Sequence, residues 1–389
     1  GIQTYSADDA GVSPSGSYSD GRWGLFFRAP SIHFELLEKG DSIDRVSSIA
    51  DEVRRGIVTG ADDFYYLPLP GGENEFFVSE IDPSTGDILL SLKNESVASR
   101  FREQGFNVTE PMFRVERECV MEAVDEIPSS VKEAGYHHQS QNEDWIPNFV
   151  IQSPKELRGA KTVAEDLTAL VLMATSAKDE LPPGVTEYIE WGEKWEPSRY
   201  SKYPERYDPS RRTPQWYNLI SEQHKGEILF PKRVDRAYAT AMNDIKAYNN
   251  QNIHHLKYEE DPHALAAILN SSSTWLALEL GGNRGLGGGA LEVGVSPLKE
   301  VEIPAPPEDI GSEKFRKAIS GVDLTTTIYD QYGTENPEEL TLDSISPGRR
   351  KLDDLIMGQI IGLTEEEQLR VCRELLRLVN NRIKKSESV

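Results

Sequence analysis

The sequence predicts a mixed α/β domain followed by a helical one, and three observations carry that prediction. Between residues 64 and 304 the chain is punctuated by apolar runs of strand length, bounded by Gly, Pro, Asn and Ser clusters. Within the same region Leu265, Ile268, Leu269, Leu276 and Leu280 repeat with the helical period. From Ile303 the proline-rich stretch IPAPPEDIGSEK reads as a hinge, and the composition after it is helical. The reading is therefore a polar, flexible segment over 1–20, an α/β domain over 21–305 and a helical C-terminal domain over 306–389.

Taken in order, Trp23 to Ile43 reads as a strand and a short helix, and Ile43 to Val53 as a helix running into a glycine-bracketed turn. The run Phe64, Tyr65, Tyr66, Leu67 reads as a strand leaving that turn, and EFFVSEIDPSTGDILLSL as a hairpin about Pro83 to Gly86. Glu95 to Gln104 reads as helix, and Phe113 to Val124 fits strand or helix. Adjacent His137 and His138 on an extended segment point to opposite faces and do not make a shared metal site. Asn148 to Ile151 and Thr168 to Met173 read as strands, GVTEYIEWGEKW as helix, and GEILFP, Gly226 to Pro231, as strand. Asp261 to Leu280 is the clearest helix of the middle region. Beyond the hinge, Ser312 to Tyr332 and Arg349 to Ile361 read as helices. A last helix starts at a capping box, Thr364 with Glu367, and presents the apolar stripe Leu369, Cys372, Leu375, Leu376, Val379 and Ile383. That stripe needs a partner surface on its own domain, a second copy or another subunit.

Composition narrows the class. The 389 residues, 38% hydrophobic, suffice for a sizeable core and two or three domains. No apolar run reaches the roughly 18 residues a membrane span needs. Two cysteines, Cys119 and Cys372, make no disulfide framework, and the expected compartment is the cytoplasm. A start at Gly1 rather than Met reads as a cleaved tag or a piece of a longer chain. The net charge of −23 weighs against phosphate binding by the chain as a whole and fits a protein working in high salt. Net charge governs solubility and steering, however, not the chemistry of one face.

Positive charge does concentrate locally. In RRGIVTGADDFYYL, Arg54 to Leu67, the arginines Arg54 and Arg55 precede a turn that places Thr59 and Gly60 at its tip. The block RYSKYPERYDPSRRTPQWY, Arg199 to Tyr217, holds five basic residues (Arg199, Lys202, Arg206, Arg211, Arg212) against two acidic ones. Tyr200, Tyr203, Tyr207, Trp216 and Tyr217 are interleaved with them. Guanidinium groups clamp phosphates and read guanine edges, and aromatic faces stack on bases; the alternative is a surface loop whose aromatics pack on its own domain. Lys232, Arg233 and Arg236 follow the GEILFP strand. The loop GGNRGLGGG, Gly281 to Gly289, lies between a helix and a strand, the reverse of a dinucleotide fingerprint. Its Asn283, Arg284, Gly287 and Gly288 suit close approach to phosphate or a groove floor.

Two of these stretches carry a family resemblance. RRGIVTGADDFYYL resembles the Gly-Ile-x-Thr-Gly-x-(Asn/Asp)-x-Phe-(Phe/Tyr) segment that opens the target-recognition region of adenine-specific DNA methyltransferases of restriction-modification systems (type IIG, Eco57I-like and related). AILNSSSTWLALELGGNRGLGGGALEVGVSPLKEVEIP, Ala267 to Pro304, is similar to the closing pattern of the same region, and TPQWYNL to its Trp-Tyr element. The resemblance implies that 21–305 is a DNA target-recognition domain with double-stranded DNA as partner. It implies contacts from Arg54, Arg55, Thr59, Gly60, Arg199, Lys202, Tyr203, Arg206, Arg211, Arg212, Lys232, Arg233, Arg236, Asn283, Arg284, Gly287 and Gly288, converging on one positive face.

The sequence departs from the full enzyme pattern. An adenine methyltransferase uses an Asn/Asp-Pro-Pro-aromatic tetrapeptide to hold a flipped adenine, and here the Pro-Pro pairs read Leu181-Pro-Pro-Gly184 and Ala305-Pro-Pro-Glu308. The expectation is a specificity module with no catalytic residue, metal or cofactor of its own. S-adenosylmethionine is then held by a methyltransferase catalytic domain or subunit outside this sequence. The alternative from another class is a protein–protein interaction module of a restriction or phage-defence complex, its basic loop meeting a partner's acidic face.

Overall fold

Alternating apolar residues in Phe77–Ile81 and Ile88–Leu92 zip into an antiparallel hairpin, with Phe77 opposite Leu92 and Ile81 opposite Ile88. The computed structural model describes residues 29–40, 42–140, 142–157, 159–198, 200–206, 214–219, 225–284 and 289–387. Over these the chain is mixed α/β, as its sequence predicts. It divides into two compact units. The first comprises Gly1–Val53, Pro231–Thr240 and Leu256–Val389, the second Arg54–Phe230 and Ala241–His255. The helices beyond the hinge thus share a unit with the chain from residue 256 onward, and the division does not run at 305/306.

In the second unit, a four-stranded sheet runs in the order Tyr248–Asn249, Phe149–Ile151, Ala169–Val171, Tyr66–Pro68. The first pair is parallel, and the others are antiparallel. The hairpin adds Phe113–Val115 as a third strand, and Met121–Val124, Glu143–Pro147 and His138–Ser140 make another small sheet. The helix Pro183–Lys194 lays Tyr188 and Trp191 into a core shared with Phe64, Phe77 and Phe101. Residues 113–124 are two strands separated by a short turn of helix at Arg117–Cys119.

In the first unit, Ile43–Arg45 pairs antiparallel with Glu302–Pro304. The sequence reads Ile43 to Val53 as one helix; the structure has this strand, a single turn at Val46–Ile49, and the strand Glu52–Arg55. Strand pairing with residues 302–304 outweighs a local preference too short to nucleate a helix. Asp261 to Leu280 is likewise two helices, Pro262–Leu269 and Ser272–Gly281. Between them the Asn270 amide donates to Thr240 O at 2.7 Å and accepts from Thr240 N at 3.0 Å. Ser271 caps the second helix through Thr274 N. Ser312 to Tyr332 is also broken, into Ser312–Ser320 and Ile328–Tyr332.

The last helix, Glu365–Glu387, starts where its sequence signature predicts. Thr364 N donates to Glu367 at 2.8 Å and Glu367 N to Thr364 Oγ1 at 3.4 Å. Its stripe Cys372, Leu375, Leu376 and Val379 is buried within its own unit, where the helix packs on Ser272–Gly281. Burial pushes the thiols of Cys119 and Cys372 up to about 12. No helix among the described residues is long and apolar enough to cross a membrane.

Lys39 closes on Glu367 at 2.6 Å, and with Thr364 it holds that carboxyl at about 2, below its ordinary 4.5. A depressed carboxylate contributes stability that is complete above the unfolded value and lost as pH falls through the folded one. The advantage of the wild type over Glu367→Gln is therefore expected to be constant above pH 4.5 and to shrink between there and about 2. For a half-exposed pair it amounts to about 1 kcal/mol or less. Urea denaturation from pH 6 to 3 checks it, and a gap that widens on acidification is the contrary result.

Candidate nucleic-acid interface

Arg54 and Arg55 stand exposed at the end of the strand Glu52–Arg55. The chain then runs against a second loop of the same unit: Gly56 N donates to Ile253 O at 3.2 Å, Ile57 N to Asn249 O at 2.7 Å, and Ile57 bridges Asn250. A Cβ at Gly56 would fall on the carbonyl oxygens of Asn249 and Asn250. Its glycine is required by the protein's own backbone, not by a ligand. Gly60 has φ 72°, the left-handed conformation glycine tolerates.

Thr59 is not an exposed tip. It is 2% exposed, its Oγ1 accepts from Ala61 N at 3.1 Å, and its hydroxyl bonds Asp62. Burial raises the Asp62 carboxyl above its ordinary value, with the Thr59 bond opposing. The threonine thus closes the turn that feeds Asp62–Tyr65, a single turn of helix ahead of the strand Tyr66–Pro68.

The described part of the basic block packs on that stretch. Tyr203 is buried, its ring 5.2 Å from Phe64 and its hydroxyl donating to Asp63 at 3.0 Å. Burial and the neighbouring carboxylate raise the phenol far above its usual range. Arg206 binds Asp63 at 3.2 Å and Ser201 O at 2.8 Å, and lies 5.0 Å from the exposed Tyr200 ring. Lys202 pairs with Glu196 at 2.9 Å. Trp216 lies 4.8 Å from Phe64, and Tyr217 donates to Ser176 O. The block's aromatics therefore belong to the core, with Tyr200 the exception among those described. Arg206 serves as an internal clamp.

In the first unit, Lys232, Arg233, Arg236, Asn283 and Arg284 come together about one small sheet. Arg233–Val234 pairs with Leu291–Glu292, and Asn283 exchanges both backbone hydrogen bonds with Glu292 at 2.8 and 2.9 Å. Lys232 binds Glu292 at 2.8 Å, while Arg233 and Arg236 are exposed. Arg284 donates to Glu279 O and lies 3.6 Å from the Glu279 carboxylate. That arginine ties the loop down rather than extending from it.

The structure thus gathers the described candidates into two groups. Arg54, Arg55, Thr59, Gly60, Lys202, Tyr203 and Arg206 lie in the second unit, the others in the first. Arg199, Arg211, Arg212, Gly287 and Gly288 lie outside the described residues. One partner went unread in the sequence: Arg55 donates to Gln251 Oε1 from the loop that Gly56 approaches. Only the polar run NNQN offered a signal, and it did not distinguish the buried asparagines from their exposed neighbours.

Residues 154–332 match the family described as type II methyltransferase M.Eco57I, C-terminal domain. Among solved structures, the type IIG restriction endonuclease BpuSI aligns at 11% identity and TM-score 0.49, over 94% of this chain and 34% of its own. The type IIL restriction-modification enzyme MmeI, solved in complex with DNA, aligns at 11% identity and TM-score 0.34, over 82% of this chain and 35% of its own. The chain thus spans about a third of the length of each. A comparison with curated proteins finds no match.

Proposed function

We propose, from the premise that residues 154–332 form an Eco57I-like restriction-modification domain of the M.Eco57I C-terminal family, that this chain is a DNA-recognition module. In this reading it selects the target sequence for an adenine-specific DNA methyltransferase or restriction-modification enzyme. The catalytic domain, and the S-adenosylmethionine it uses, lie outside these residues. The observation that carries the reading is the family match, which contains the basic block and the whole closing pattern, Ala267 to Pro304.

The chemistry fits. Phosphate contacts position such a module and base-edge contacts specify the site. Arg54, Arg55 and Arg233 are exposed cations on backbone held by strand pairing, and Arg236 is exposed just beyond the strand Arg233–Val234. A second reading, docking onto a partner protein's acidic face, is favoured by the number of basic groups already neutralised internally, among them Arg206, Lys202, Lys232 and Arg284.

Selection of bound sequences from a randomised duplex pool separates the two. The chain is expected to enrich one sequence, and its preference over scrambled duplex persists as salt rises. Binding that is absent, or that vanishes with salt without any preference, overturns the DNA reading in favour of partner docking.

A further inference from the structure

The second unit presents a composite edge that neither loop makes alone. Backbone hydrogen bonds from Gly56 and Ile57 lock residues 54–60 against 249–253. The second loop is rigid because its asparagines are consumed inward. Asn249 donates to Ile253 O at 2.7 Å and bonds His255 Nδ1 at 3.0 Å. Asn250 donates to Gln152 O at 2.6 Å and accepts from Asn252 N at 2.9 Å. What remains on the outside is Arg54, Arg55, Val58, Gln251 and Asn252. Val58 at 39% is one of two large apolar side chains exposed among the described residues.

That inventory corresponds to the edges of base pairs in a major groove. Arginine donates to guanine O6 and N7, glutamine and asparagine pair with adenine N6 and N7, and an aliphatic group meets the thymine methyl. The partners of the arginines make the distinction sharper. Elsewhere in this unit Arg114 and Arg206 are bound to carboxylates, and Arg117 lies over the Trp145 ring. The bonded partner of Arg55 is the neutral amide of Gln251, which orients the guanidinium without cancelling its charge. Because that bond uses only one of Arg55's donors and one lone pair of Gln251, donors on both side chains remain for bases.

Resting on the DNA reading proposed above, we infer that residues 54–60 and 249–252 form one base-reading edge for duplex DNA. Within it Arg55 and Gln251 act as a coupled pair that selects adjacent base pairs, with Val58 and Asn252 flanking it. Gln251 is a specificity-determining residue, and Arg55 reads its base in an orientation Gln251 sets.

The test is selection from a randomised duplex pool by the full chain and by Arg55→Ala, Gln251→Ala, Gln251→Glu and a control at exposed Lys246, each first checked for wild-type melting. Gln251→Ala is expected to lower discrimination at one or two adjacent positions by about 5- to 150-fold and to leave the other positions alone. Gln251→Glu, which keeps the shape, is expected to change the preferred base there, because a carboxylate accepts where an amide donates. Arg55→Ala is expected to disturb the same positions, and the double variant to lose less than the product of the single losses. The control leaves the pattern intact. Folded variants that keep every base preference, or lose affinity uniformly across sequences, overturn the assignment while leaving the DNA reading standing. A wild type without sequence preference overturns both.

Discussion

Replacing Glu279 by alanine is expected to destabilise the first unit by about 3–5 kcal/mol, the range found when one partner of a buried ion pair is removed. The Glu279 and Arg382 side chains are 0% and 1% exposed and meet at 2.9 Å. Arg382 Nε adds bonds at 3.1 and 3.2 Å, and the Tyr238 hydroxyl donates to the same carboxylate. Without the carboxylate, a guanidinium stays buried with neutral partners alone among the described residues, the carbonyls of Gly289 and Asp235 and the Tyr238 hydroxyl. Arg382→Met alone is expected to cost a similar amount. The double variant Glu279→Leu with Arg382→Met should lose clearly less than the two single losses added together, since it no longer leaves the Arg382 guanidinium buried without its carboxylate. Urea denaturation of the four proteins measures it. A Glu279→Ala protein within 1 kcal/mol of wild type would show that water or a shifted backbone takes over the role, at odds with a dry pair.

Phe64→Ala is expected to cost the second unit about 3–5 kcal/mol, the cost of truncating a buried aromatic side chain to alanine. Phe64 is fully buried, and its ring lies 4.8 Å from Trp216, 5.1 Å from Tyr188 and 5.2 Å from Tyr203. Gly192 approaches it so closely that a Cβ there would meet Phe64 Cε2 at 2.5 Å. The cavity left by alanine is thus walled by rigid aromatic rings that collapse poorly. Phe64→Leu should recover more than half of the loss. Chemical denaturation, followed by near-ultraviolet circular dichroism, reads both. Wild-type stability in Phe64→Ala would mean that the ring is not the centre of this cluster.

The phenylalanine also shows what a motif says and what it hides. The pattern from Arg54 to Leu67 carries a resemblance to target-recognition regions, but Gly56, Thr59 and Phe64 serve the protein's own packing. Only Arg54, Arg55, Val58 and Gly60 of residues 54–60 remain exposed. Local signals were legible: the Thr364 and Glu367 capping box, the Pro83 to Gly86 hairpin turn and the helix Pro183–Lys194 fall where the residues predict. Features decided by distant partners were not. Ile43–Arg45 is a strand because residues 302–304 lie beside it, and Tyr203 is core because Asp63 and Phe64 receive it. The aromatics of the basic block alternate with charges in a way that fits base stacking and core packing equally, so composition could not choose. Gln251 was invisible for the same reason, since its bond to Arg55 spans 196 positions.

The way the second unit interrupts the first sets a timetable for synthesis. Residues 51 and 257 are joined within the first unit by a backbone bond of 3.0 Å, and between them Arg54–Phe230 and Ala241–His255 form the second unit while Pro231–Thr240 belongs to the first. Strand Ile43–Arg45 emerges from the ribosome well before Glu302–Pro304 and cannot pair until they follow. Helix Ser31–Lys39 waits longer still, for the helix that carries Glu367 and Arg370. At about 5–20 residues per second, these delays are on the order of 10–60 s. Through that interval Ile32, Leu36 and Val46, all buried in the finished fold, have no native surface to cover them. The segment that carries them therefore stays uncovered during synthesis, and the second unit, complete once His255 has been made, can close its core before the first.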